Sequence, residues 1–151
     1  MWNKRPKKKN AARPSKPAAT ARLDRVFSEY IRLRDSFATQ AGLYFRCISC
    51  GRILPYAEAD CGHYINRRHT ATRFVEANCN AQCRACNRFD EGNIYNYRRG
   101  LVEKIGEERV LLLESRKNET CHFSAFELEA MVTHYRKEVK RLKEERQWNA
   151  R

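Results

Sequence analysis

Cys47-Ile-Ser-Cys50-Gly51, then Asp60-Cys61-Gly62-His63-Tyr64, then Cys83-Arg84-Ala85-Cys86-Asn87: this stretch decides the fold. Its cysteines follow the pattern C-x2-C-x32-C-x2-C. Tetrahedral zinc takes four thiolate or imidazole donors, and two i,i+3 pairs, one in a tight knuckle and one at a helix start, supply that geometry. Gly51 follows Cys50 directly, as the unusual backbone of a knuckle tip requires. Cys47, Cys50, Cys83 and Cys86 are therefore read as ligands of a structural zinc ion, which would supply much of the folding energy of so small a core. Cys61, Cys79 and Cys121 remain; each fits a small core residue better than a ligand. Cys61 neighbours His63 in the sequence.

Outside this stretch the chain is basic. It has 151 residues and a net charge of +13. That points to an anionic partner, nucleic acid before an anionic membrane surface. The length suits one domain. No apolar run approaches the roughly 20 residues of a membrane span, and Met1-Trp2-Asn3-Lys4-Arg5-Pro6 lacks the apolar core of a secretion signal. The expected compartment is a reducing cytoplasm, where paired cysteines bind metal rather than form disulfides. Residues 1–20 are expected to be a disordered basic tail, because the segment has little apolar surface to bury. Its Lys7, Lys8 and Lys9 would gather phosphates. Even without the tail, basic residues outnumber acidic ones.

Residues 21–151 are expected to form one domain. An amphipathic helix is predicted over 21–38, from Leu23, Val26, Phe27, Tyr30, Ile31 and Phe37, with Thr20 as its N-cap and Gly42 just beyond its end. The core is placed at 44–105. Short strands are predicted near 52–54, 61–65 and 73–76, and residues 66–72 form the basic tip of a hairpin. From Cys83 a helix is expected to run to Gly106. Further helices fill 107–147. Ser124 and Glu127 are spaced as a capping box, and Phe123 and Leu128 as its hydrophobic staple. The last helix either packs on the zinc core or offers its far end as a dimer surface.

Between the cysteine pairs lie residues suited to phosphodiester hydrolysis. That reaction needs a water deprotonated near neutral pH and a cation at the leaving oxygen. A neutral histidine, His63, does the first job, and Asn78 is the candidate for fixing the loop that holds it. Asp60 and Asn87 are the candidate ligands of a catalytic Mg²⁺ or Mn²⁺. Arg67, Arg68, Arg73, Arg84 and Arg88 would hold flanking phosphates. Asp90 or Glu91 lies close enough in sequence to Asn87 to assist the metal, though solvent exposure explains both acids. His69 is read as solvated, and His122 and His134 receive no role.

The order histidine, asparagine, polar residue after C-x-x-C resembles the HNH nuclease pattern. That resemblance implies an α+β fold: a small zinc-stapled ββα-metal core, related to treble-clef fingers, flanked by an N-terminal helix and C-terminal helices. A closer resemblance rests on Cys47-Ile-Ser-Cys50-Gly51, Asp60-x-Gly62-His63-Tyr64, Arg73-Phe74, Asn78-x-x-x-Gln82-Cys83-x-x-Cys86-Asn87, Gly92-Asn93 and Tyr97, and on Tyr30-Ile31-Arg32-Leu33-Arg34-Asp35 before them. From about residue 23 to about 140 the chain resembles the phage lambda NinG/Rap recombination nuclease family. This implies a structure-specific endonuclease in the host cell of a phage or prophage. Its implied substrates are branched DNA, such as Holliday junctions and D-loops, and a homodimer and recombination proteins are candidate partners.

Two departures stand out. Many HNH enzymes carry a ligand directly before the base, and here that position is Gly62. Asp60, three residues ahead of His63, would face the opposite side of an ideal strand, so sharing a metal site with His63 calls for a bulge. The leader is also shorter than the cysteine-bearing one associated with the family. The competing function is a non-catalytic zinc-binding module that grips nucleic acid by charge.

Overall fold

A computed structural model describes residues 15–149 and their side chains as far as Arg146. The fold is α+β. Helix α1 (Lys16–Arg34) leads into strands β1 (Ser36–Thr39), β2 (Gly42–Arg46) and β3 (Ile53–Pro55), which pair antiparallel in that order. Strand β4 (Ala59–His63) pairs with β5 (Cys79–Cys83) across a connection holding the short helix α2 (Thr70–Arg73). A single π-helical turn, Ala85–Phe89, then gives way to α3 (Ile94–Ile105), α4 (Glu107–Ser115) and α5 (Ala125–Asn149). Among the described residues no helix is long and apolar enough to cross a membrane.

The first helix differs from expectation at both ends. It begins at Lys16, so the last residues of the expected tail are helical; residues 1–14, with Lys7, Lys8 and Lys9, lie outside the described residues. Pro17 occupies the first turn, where its fixed φ favours a helix and its missing N–H costs nothing. Thr20 is thus not the cap but sits one turn inside, its hydroxyl donating to Lys16 O at 2.9 Å. The helix stops at Arg34 because Asp35 is wanted elsewhere. Its carboxylate accepts the Ala81 amide at 2.8 Å and ion pairs from Arg34 and Lys104. Residues 36–38 are therefore strand, and Gly42, at φ +126°, turns the β1–β2 hairpin rather than ending a helix.

The strand expected at 73–76 is absent. Arg73 ends α2, and the partner of β4 is β5, in continuous register from Ala59 opposite Cys83 to His63 opposite Cys79. The helix expected from Cys83 is broken at Asp90–Asn93, where Glu91, Gly92 and Asn93 all have positive φ. It resumes as α3 and ends at Gly106, φ +88°, as the sequence suggests. The start of α5 also follows the sequence: Glu127 accepts the Ser124 amide at 2.7 Å, and the Ser124 hydroxyl accepts the Glu127 amide at 3.2 Å.

Three apolar clusters hold these elements. The largest joins α1 to α5 through Leu23, Phe27 and Ile31 against Leu128, Val132 and Leu142. Burying each such side chain contributes about 1.5–3 kcal/mol. The apolar stripe of α5 therefore packs on α1 rather than on the four-cysteine cluster, and its far end is covered at Leu142. A second cluster gathers Phe45, Ala59 and Ala81 around the paired cysteines. The third packs Tyr97 and Leu101 of α3 against Ile65, Val110 and Leu113.

Candidate active site and metal centre

The backbone of Cys47–Arg52 closes a knuckle. Gly51 N–H donates to Cys47 O and Cys47 N–H to Arg52 O, both at 2.9 Å, with Gly51 at φ +72°. β5 ends at Cys83, and the π-helical turn carries Cys86. The donor atoms of Cys47, Cys50, Cys83 and Cys86 all lie within 4.8 Å of one another. The Cys50–Cys83 sulfur separation is 3.8 Å, which is about the edge of a tetrahedron with ~2.3 Å metal–sulfur bonds. Amide donors converge on the sulfurs, Cys83 N–H on Cys47 and Cys86 N–H on Cys83, and the Asn93 side chain donates to Cys86. Burial acts to raise the Cys50 thiol, but the Arg52 amide together with side-chain hydrogen bonds from Cys47, Arg52 and Cys86 outweighs it and brings the group down to about 7. Four sulfurs so placed, three of them buried, fit a tetrahedral zinc ion.

Gly100 presses this knuckle against α3: a Cβ there would lie 2.0 Å from Ile48 O. Gly62 is equally constrained, since a Cβ would meet Gln82 Oε1 at 2.3 Å. The glycine leaves room for the Gln82 side chain, which donates to Ser49 Oγ at 2.8 Å and Gly92 O at 2.6 Å. A metal ligand before His63 would displace that link.

His63 ends β4, and its Nε2 lies 3.1 Å from Arg73 O. A carbonyl only accepts, so Nε2 carries the proton and Nδ1 of the neutral ring keeps its lone pair. Burial is the largest influence on its pKa and lowers it; the Arg73 carbonyl acts the other way, and Arg67 adds to the lowering. His63 is thus a neutral imidazole held by a backbone oxygen. Asn78 fixes the connection that carries that oxygen. It is fully buried, accepts the Ile65 amide at 2.7 Å, and donates to Ile65 O at 2.9 Å and Thr72 O at 3.0 Å. Tyr97 of α3 holds the strand just before His63, its hydroxyl donating to Gly62 O at 3.0 Å. In the sequence Tyr97 stands out only among the residues that carry the family resemblance, and nothing around it signals this polar role.

An open cleft of about 990 Å³ runs past His63. Asn87, Arg67, Arg68, His69 and Glu91 also line it. The structure thus brings His63, Asn87 and two of the five arginines to one cleft. The other three arginines serve the fold: Arg73 pairs with Asp24, Arg84 donates to Ala57 O, and Arg88 forks onto both carboxylate oxygens of Asp60 at 2.6 Å. Asp60 stands across from Gln82 in an unbroken ladder, so no bulge turns it to the His63 face. Its carboxylate accepts from Asn87 at 3.0 Å as well as from Arg88. Burial acts to raise the Asp60 carboxyl, but Arg88 and Asn87 outweigh it and hold it below the usual range. The Asp60 and Asn87 side chains are adjacent, and the Arg88 guanidinium engages both Asp60 carboxylate oxygens.

A sequence model of the family described as Bacteriophage Lambda NinG protein matches residues 2–145. The chain belongs to the NinG family. Proteins named Protein ninG from Escherichia phage lambda and Salmonella phage P22 are each 38% identical to it over 104 residues. Those matches cover 66% of this chain, and 48% of the lambda protein and 49% of the P22 protein. The namesake from Enterobacteria phage H19B is 43% identical over 76 residues, covering 48% of this chain and 36% of its own. This NinG-family chain spans about half the length of the curated relatives it matches. No solved structure matches it.

Proposed function

We propose that this NinG-family chain is an HNH-type, Mg²⁺-dependent endonuclease that hydrolyses phosphodiesters in branched DNA, such as Holliday junctions and D-loops. The observation that carries the reading is His63: a neutral imidazole at a cleft wall, its Nε2–H committed to Arg73 O. Such a ring accepts a proton from water at Nδ1 near neutral pH. Asn78 and Tyr97 hold the backbone on both sides of it, so the base is oriented before substrate arrives. Arg67 and Arg68, with no acidic partner among the described residues, would grip phosphates that flank the scissile bond. Zinc at the four cysteines would staple the β4–β5 hairpin to the turn bearing Asn87, giving the ββα-metal arrangement. A divalent ion held by Asn87 on the cleft wall, with Asp60 behind it once Arg88 is displaced, would supply charge neutralisation at the leaving oxygen. DNA is the proposed partner, with a homodimer matching the two equivalent strands of a junction, and the host cytoplasm the proposed site of action.

A second reading, a non-catalytic zinc-binding module that holds nucleic acid by charge, is favoured by one observation. Asp60 is engaged by Arg88 and lies on the face of β4 opposite His63. The two readings part in a cleavage assay of the intact protein on a four-way junction and on linear duplex of the same sequence, with Mg²⁺ or with chelator. The enzyme reading expects nicking of the junction only with Mg²⁺. Binding without metal-dependent cleavage of either DNA supports the module.

A further inference from the structure

Among the described residues a second group of soft donors lies apart from the four-cysteine cluster. Cys61, His63 and Cys79 each offer one ligand atom, and these atoms all lie within 4.8 Å of one another. The pleat assembles them. Cys61 and His63 alternate onto one face of β4, and the register sets Cys79 of β5 directly opposite His63. No spacing motif announces the group, since its members come from two strands whose pairing the sequence did not disclose. A backbone oxygen adds to it: Arg73 O lies 3.1 Å from His63 Nε2 and 3.6 Å from Cys79 Sγ. Cys79 is fully buried against α1, whereas Cys61 and His63 line the cleft. The group is therefore closed on one side and reachable from the other.

We propose that Cys61, His63 and Cys79 form a second metal site, for a thiophilic divalent ion, with a fourth coordination position open to the cleft. Two sulfurs and an imidazole select Zn²⁺, Co²⁺ or Cd²⁺ over Mg²⁺, which demands oxygen. Uptake of one ion releases the two thiol protons to solvent and engages a neutral His63 nitrogen. With three protein ligands instead of four, the site binds more weakly than the cysteine cluster and fills after it. An ion there occupies His63, so a thiophilic metal and a free His63 exclude each other. The site goes beyond the nuclease reading and does not depend on it.

The test is a Co²⁺ titration of the full chain loaded with one equivalent of zinc, with zinc release followed in parallel. The expected result is one equivalent of Co²⁺ taken up without zinc release, with thiolate-to-cobalt charge-transfer absorption and the visible bands of a tetrahedral ion. Cys61→Ser and His63→Gln should each lose that uptake while keeping their zinc, and Cys121→Ser should retain it. Cys61 and His63 are both only part-buried, so two independent variants report even if one folds poorly. Absence of charge-transfer absorption in the zinc-loaded wild-type chain overturns the proposal. So does Co²⁺ uptake matched by zinc release, uptake undiminished in Cys61→Ser, or uptake lost in Cys121→Ser.

Discussion

Replacing Asn78 by alanine removes the clasp that shapes the His63 connection. Three hydrogen bonds go at once: one accepted from Ile65 N–H and two donated to Ile65 O and Thr72 O. Each is worth about 1 kcal/mol net, and a buried group left without a partner costs about 1–3 kcal/mol. Asn78 is fully buried, so water does not simply replace it. The expected loss is about 3–5 kcal/mol, a large share of the roughly 5–15 kcal/mol that holds a domain folded. Urea unfolding at saturating zinc, followed by circular dichroism, measures it. Asn78→Asp gives an internal control. It keeps the acceptor for Ile65 N–H but turns a carboxylate toward two carbonyls, so it should be at least as destabilising at neutral pH and recover partly in acid, where a protonated carboxyl donates again. A loss below about 1 kcal/mol for Asn78→Ala would refute the reasoning, because the clasp would then be dispensable.

Gly100→Ala should drive Ile48 O away from α3, costing about 1–3 kcal/mol by overpacking; chelator competition should show weaker zinc retention, and unchanged retention would count against the close approach. Burial acts to raise the Asp35 carboxyl, but Arg34 and Lys104 outweigh it and hold it below the usual range. A depressed folded pKa gives stability that is present above the unfolded value of about 3.9 and is lost as pH falls through the folded one. Asp35→Asn should therefore lower stability at pH 7 and flatten the fall in stability below about pH 4, as read by thermal melts across pH. For DNA binding, Arg67→Ala with Arg68→Ala should weaken affinity and reduce the salt slope by about 0.9 for each phosphate no longer neutralised, whereas an unchanged slope would remove both arginines from the interface.

The parts of this fold legible in the sequence were those written in local spacing. The cysteine pattern located the knuckle and the turn after β5, the capping box located the start of α5, and Gly106 marked the end of α3. The NinG resemblance, carried by residues 30–97, agrees with the family match. What stayed hidden depends on partners far along the chain. Helical periodicity continued past Arg34, yet Asp35 serves β5 and α3, so the chain turns into a hairpin there. β5 holds Cys79, Asn80, Ala81, Gln82 and Cys83, all buried on both faces, so it lacks the alternation that marks a half-exposed strand. Without the true partner of β4, the meeting of Cys61, His63 and Cys79 could not be foreseen. Gly62 read as a missing ligand; the structure gives it a packing reason, the Gln82 side chain that lies against it.

The central claim is that His63 is a general base rather than a structural histidine. It is tested most directly by His63→Ala, with binding and cleavage measured on the same four-way junction in Mg²⁺ and with zinc content matched to wild type. The predicted result is unchanged junction affinity and cleavage reduced by about 100-fold or more. Cleavage within a few-fold of wild type, or no Mg²⁺-dependent cleavage by the intact protein, would contradict it.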